Sequence, residues 1–249
     1  MKNEHESLEL QDEKTLQRSI YLLPNLLTTA ALFAGFYSIV AAMKGHFEAS
    51  AIAIFIAMIA DGLDGRLARL TNTQSLFGAQ YDSLSDMVAF GVAPSLVAFS
   101  FALFHLGKLG WLIAFLYTAA TALRLARFNI QPTDTHYFKG LPCPSSAGAI
   151  ASMIWISANY GMNGVVFAVP IAFVTLAVAV LMVSTIRYYS FKHIDFKGRV
   201  PFLTVVAAVF ILVAIALEPP EILFAIFFCY VISGLFVTLW QLRKLRRRR

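Results

Sequence analysis

The sequence predicts an all-α fold: a polytopic membrane helical bundle of about eight transmembrane helices, preceded by an N-terminal interfacial amphipathic helix. Three observations carry this. Of 249 residues, 59% are hydrophobic and only 14% are charged. The apolar residues fall in runs near the length that crosses a bilayer, and these recur along the whole chain. Lys and Arg gather in alternate connections between the runs, as they do in cytoplasmic loops.

The first 25 residues are acidic and polar. Within them Leu16, Ile20 and Leu23 fall at i, i+4 and i+7 while Lys14, Gln17 and Arg18 face elsewhere, which predicts the short interfacial helix. The acidic tail and the lack of a small-residue cleavage site before the first span argue against a cleavable signal peptide. The predicted spans are 26–43, 49–65, 84–104, 109–129, 146–162, 165–186, 200–217 and 221–240. Eight spans put both termini on one side. With the termini inside, cytoplasmic segments hold 18 of the 20 Lys and Arg, leaving Lys44 and Lys108 outside. A miscount by one helix would scramble so strong a bias. No internal repeat and no separate soluble domain are visible.

The net charge of +6 calls for no nucleic acid, because six cations sit in the tail RKLRRRR beside the last span. Such a cluster sets topology or meets anionic headgroups. Cys143, expected in a cytoplasmic loop, and Cys229, in a membrane helix, have no CxxC or metal-ligand spacing and are expected to be free thiols without a role. His5, His46, His105, His136 and His193 form no HxxxH pair and read as solvated or interfacial residues.

One stretch breaks the apolar pattern: DGLDGRLARLTNTQSLFGAQYDSLSD, from Asp61 to Asp86. Asp61 and Asp64 share a helical face at the cytoplasmic end of the second span; Gly78, Asp82 and Asp86, each four apart, share one at the start of the third. Two helices joined by a short turn can aim all four carboxylates at one point. Ionisable groups at membrane depth are costly enough to imply function. Arg66 and Arg69 supply two positive charges against four negative ones, and the deficit suits a divalent cation held by oxygen, Mg²⁺ or Mn²⁺ rather than zinc. Gly62, Gly65, Ala68 and Gly78 remove bulk beside the acids, letting a ligand approach the backbone or helices pack closely.

The spacing DxxDGxxARx8GxxxDxxxD, filled by Asp61, Asp64, Gly65, Ala68, Arg69, Gly78, Asp82 and Asp86, resembles the complete signature of the CDP-alcohol phosphatidyltransferases. The resemblance implies transfer of a phosphatidyl group from a CDP-linked lipid to an alcohol, with release of CMP, at a two-metal site facing the cytoplasm. It makes Asp61, Asp64 and Asp82 metal ligands and Asp86 both a further ligand and the base that deprotonates the acceptor hydroxyl. Arg69 would hold phosphate, and Asn25, Gly65, Ala68, Ser75 and Gly78 would contact the nucleotide-lipid. Arg66 is outside the signature and reads as a topology or headgroup charge. A homodimer in a bacterial or archaeal inner membrane is also implied.

Three further stretches, ALRLARFN (122–129), FKGLPCPSSAG (138–148) and LMVSTIRYYSFK (181–192), resemble the phosphatidylserine synthase branch, as does PNLLTTAALFAGF (24–36). They imply CDP-diacylglycerol and L-serine as substrates. The division implied is 1–23 tail and interfacial helix, 24–195 catalytic core, and 196–249 two further helices and basic tail. Serine carries a carboxylate and an ammonium, so Arg124, Arg127 and Lys192 are candidates for its carboxylate, each also explained by the positive-inside bias. The alternatives are the same reaction with glycerol 3-phosphate or inositol phosphate, and, more remotely, a metal-ion transporter. A transporter would place polar ligands near the midplane on several helices, whereas these acids gather at one bilayer face.

Overall fold

The computed structural model describes residues 2–130, 137–189 and 202–246. Helix α1 (Lys2–Met43) pairs with α2 (Phe47–Leu70) through a three-residue turn at Lys44–His46. The separate interfacial helix expected at the N-terminus is instead continuous with the first span: Pro24 removes one donor from the ladder without ending the helix. Small residues let the pair approach closely. Ala31, Ala34, Ala41 and Ala42 of α1 and Ala51, Ala53, Ala57 and Ala60 of α2 are buried. Ser38 and Ser50 donate to each other's backbone carbonyls at 2.9 and 2.8 Å.

Helix α3 (Leu76–Asp86) runs through a π-helical turn, Met87–Val92, into α4 (Ala93–Phe101), forming one rod. A π turn loosens the usual ladder. Here the Phe90 carbonyl accepts the buried Tyr117 hydroxyl at 2.8 Å. At Gly35 of α1 a Cβ would stand 2.7 Å from Ala89 Cα, so only glycine lets α1 lie against this turn. A 3₁₀ turn (Leu103–Leu106) leads to α5 (Lys108–Ile130), followed by α6 (Cys143–Asn159), α7 (Gly164–Val183), α8 (Phe202–Leu217) and α9 (Pro219–Arg246). Counting α3 to α4 as one rod, eight helical rods run through the described residues.

Among the described residues four stretches are long and apolar enough to cross a membrane unaided: Leu22–Met43, Leu76–Phe101, Lys108–Ile130 and Gly164–Val183. Thr204–Leu217 and Pro219–Gly234 are shorter apolar helices. Large apolar side chains such as Phe33, Phe173 and Phe210 face outward at about 70% exposure, as a lipid-facing surface requires.

Among the described residues the fold departs from all-α at one point. β1 (Tyr137–Lys139) pairs antiparallel with β2 (Arg187–Tyr189), Phe138 opposite Tyr188. The connections that leave α5 and α7 have backbone groups to satisfy, and they satisfy each other. Gly140, at φ 84°, donates to the Ile186 carbonyl at 2.8 Å, its Cα facing the Met182 carbonyl where no Cβ fits. Tyr188 is fully buried and donates to the Val231 carbonyl, which ties the ribbon to α9.

These contacts sort the molecule by ends. The α2–α3 turn, the C-termini of α5 and α7 and the ribbon share one end, linked by Ser83 to Asn129 and by Arg127 to the Val183 carbonyl. Gly45 beside Lys44, Phe101 and Gly161 line a cavity at the other, where α5 begins at Lys108.

Candidate active site

The site is built where α2 ends and α3 begins. Thr71 caps α2, its N–H and hydroxyl both bonded to the Leu67 carbonyl. Asn72 takes φ 53°, a conformation asparagine tolerates better than most residues. Ser75 then caps α3, its Oγ accepting from the Gly78 N–H at 2.9 Å. The turn reverses the chain so tightly that the two acid-bearing faces meet.

Asp61, Asp64 and Asp82 each bring one carboxylate oxygen within 4.8 Å of the others. Asp86 lies one turn deeper and touches Asp61, which also touches Asp82. Asp64 is buried and accepts the Thr28 hydroxyl from α1 at 2.6 Å. Asp82 Oδ1 is buried without a hydrogen-bond partner. Carboxylates at these separations repel, and a buried oxygen with no donor is costly. An all-oxygen donor set with one orphaned oxygen fits a hard divalent cation.

Above the acids opens a cavity of about 300 Å³. Asn25, Gly65, Ala68, Arg69, Ser75 and Gly78, all singled out in the sequence, line it, with Asp64 and Asp82. The two uses open to glycine separate here. A Cβ on Gly62 or Gly65 would meet nothing within 4 Å, so neither serves helix packing, and Gly65 leaves open space beside the cavity. Arg69 is exposed at the rim, its Nε bonded to the Gly65 carbonyl at 2.8 Å. Arg66 is exposed and does not line the cavity.

The acceptor candidates divide. Arg124, partly buried, donates from Nη1 to Cys143 Sγ at 3.1 Å, and its Nε is buried without a partner. Cys143 is no loop residue: it opens α6, is fully buried and lies within electrostatic range of Asp86 and Asp61. It is a free thiol, as is Cys229. Arg127 spends one N–H on the Val183 carbonyl at 3.1 Å, capping α7. Lys192 lies outside the described residues.

The sequence reading missed Pro24, Thr28, Thr73, Gln74 and Ala79, which also line the cavity. For Thr28 a signal existed: it stands three residues from Asn25, on the same helical face, inside the PNLLT stretch.

A model of the CDP-alcohol phosphatidyltransferases matches residues 21–183, more than half of the chain. This chain belongs to that family. Its relatives include the CDP-diacylglycerol–serine O-phosphatidyltransferase of Helicobacter pylori, 36% identical over 91% of this chain and 94% of that one. The enzyme of the same name from Bacillus subtilis is 33% identical over 68% of this chain and 91% of its own. The archaetidylserine synthase of Methanothermobacter thermautotrophicus is 35% identical over 68% of this chain and 70% of its own. The family uses divalent metals, and the Asp61, Asp64 and Asp82 trio is the group this member brings together.

Proposed function

We propose that this phosphatidyltransferase moves the phosphatidyl group of CDP-diacylglycerol to the hydroxyl of L-serine, giving phosphatidylserine and CMP. The observation that carries this is the meeting of the signature aspartates beneath a cavity lined by the signature Gly65, Ala68, Arg69 and Gly78. The serine named as acceptor for the relatives supports the choice of alcohol.

Each residue has a task that its surroundings support. Asn25, Ser75 and Gly78 form the wall for the nucleotide, and open space at Gly65 lets it approach the α2 backbone. Arg69 at the rim meets a diphosphate oxygen. Asp61, Asp64 and Asp82, joined by Asp86, hold Mg²⁺ or Mn²⁺, which when bound supplies Lewis-acid stabilisation of charge on the diphosphate. Asp86 takes the proton of the serine hydroxyl, whose oxygen bonds to the phosphatidyl phosphorus as the bond to the CMP oxygen breaks. Arg124, with its Nε unpartnered and its Nη1 on Cys143, which is itself within electrostatic range of Asp86, is the better placed arginine for the serine carboxylate; Arg127 is committed to α7.

The remaining parts of this reading are a multi-pass protein with both termini and the cavity on the cytoplasmic side of an inner membrane, a catalytic core over 24–195 and a homodimer. The grouping of Arg66, Arg69, Arg124 and Arg127 at one end of the bundle and Lys44 and Lys108 at the other supports the orientation. Purified protein should be assayed with CDP-diacylglycerol, Mn²⁺ or Mg²⁺, and L-serine, glycerol 3-phosphate or inositol phosphate. CMP release dependent on serine alone is expected; release with a phosphorylated alcohol instead would overturn the choice of acceptor.

A further inference from the structure

Thr28, outside the signature, reaches a signature aspartate through a short hydrogen bond, 2.6 Å to Asp64 Oδ2. Its hydroxyl also stands 3.1 Å from the Pro24 carbonyl. One proton cannot serve both, and the shorter distance to a charged acceptor assigns it to Asp64. Thr28 and Asp64 are only 4% and 5% exposed, so the bond lies in the cavity wall with little of either side chain open to water. The backbone of Thr28 is engaged as well: Ser85, on α3 between Asp82 and Asp86, donates to its carbonyl at 3.0 Å. Next to it Thr29 meets the Tyr81 hydroxyl at 2.9 Å. A single residue of α1 therefore joins the helix carrying Asp61 and Asp64 to the helix carrying Asp82 and Asp86.

We infer that Thr28 is a positioning residue for the metal site: its hydroxyl fixes the rotation of the Asp64 carboxylate and leaves that group one oxygen free of the bond. This rests on the proposal that the aspartates hold a divalent cation. A donor behind a ligating carboxylate sets the ligand's orientation, and losing such a partner typically weakens metal binding about 10- to 100-fold. The competing role is packing alone, with the hydroxyl turned back to Pro24.

The test uses the full chain purified in detergent, titrated with Mn²⁺ alone and read by the electron paramagnetic resonance of free Mn²⁺. Thr28→Val keeps the shape and removes the donor, and should bind Mn²⁺ about 10-fold more weakly or worse. Thr28→Ser keeps the hydroxyl and should stay within about threefold of the parent. If Thr28→Val does not fold, Thr28→Ala carries the same expectation without steric demand. In turnover, the loss in Thr28→Val should shrink as Mn²⁺ is raised, with KM for serine unchanged. Parental Mn²⁺ binding in Thr28→Val, or equal weakening in the Val and Ser variants, overturns the inference. Asp64→Asn is the benchmark: if it binds Mn²⁺ like the parent, the metal-site proposal itself falls, and the inference with it.

Discussion

Asp82→Asn should move stability in opposite directions with and without metal. Asp82 Oδ1 is buried with no donor, and its carboxylate touches that of Asp61. The amide has the same volume, removes one negative charge and offers Asp61 an N–H. A hydrogen bond to a charged group is worth about 1.5–3 kcal/mol, so in chelator the variant should melt roughly 3–12 °C above the parent. Saturating Mn²⁺ reverses the order. At a hundredfold excess over Kd a ligand stabilises the folded parent by about 2.7 kcal/mol, and the variant, short of a ligand, gains little of this. Thermal unfolding of both proteins in detergent, followed by tryptophan fluorescence in EDTA and in Mn²⁺, should give curves that cross, with phosphatidyl transfer nearly abolished in the variant. A variant less stable than the parent in EDTA, or an equal Mn²⁺ shift in both, would refute the reasoning.

Asp86→Asn should weaken CDP-diacylglycerol binding modestly and slow single-turnover transfer to serine by at least ~10²-fold, the lower end of a general-base contribution; near-parental turnover would remove Asp86 as the base. Gly35→Ala, whose Cβ would stand 2.7 Å from Ala89 Cα, should cost about 1–3 kcal/mol in thermal or denaturant unfolding. Gly65→Ala meets nothing, so it should leave the melting temperature alone and raise KM for CDP-diacylglycerol; the opposite split would mean that Gly65 serves packing. A cysteine at Asn72 should react with an impermeant thiol reagent from the cytoplasmic side and one at Asn163 from the outside, and the reverse would overturn the proposed orientation.

What was legible in the sequence was whatever is written in period and hydropathy. The helices follow the apolar runs, and the convergence of Asp61, Asp64 and Asp82 follows from spacings of three and four across a short turn. What was not legible depends on partners distant in the chain. The ribbon of Tyr137–Lys139 and Arg187–Tyr189 is too short to show alternation, though its tyrosines and phenylalanine are good strand formers. The π turn at Met87–Val92 has no periodic signature; its partners, Gly35 and Tyr117, lie on other helices. Cys143 falls just before the expected span of 146–162, yet proline suits the first turn of a helix, and α6 begins at Cys143 with Pro144 in that turn. Arg127 looks as eligible for substrate as Arg124 until the end of α7 is seen to occupy it.

The partners of the aspartates explain why so much of the site lies outside the signature. Among the described residues, what touches the four carboxylates is a threonine hydroxyl, a backbone N–H and one another. Neutral donors orient a carboxylate without cancelling its charge, whereas a lysine or arginine in the same place would stabilise the apoprotein and compete with a cation for the oxygens. Arg69 follows the same logic, turning Nε to the Gly65 carbonyl and keeping its charge at the cavity rim, where the proposed diphosphate would arrive. The negative charge at the floor would therefore stay available to the proposed metal, and the helices that carry it are tied together by hydrogen bonds: α1 to α2 at Ser38 and Ser50, and to α3 at Thr28 and Thr29. A frame of this kind has to come from the neutral, small-residue face of α1, because any charged residue there would change the electrostatics that the aspartates depend on.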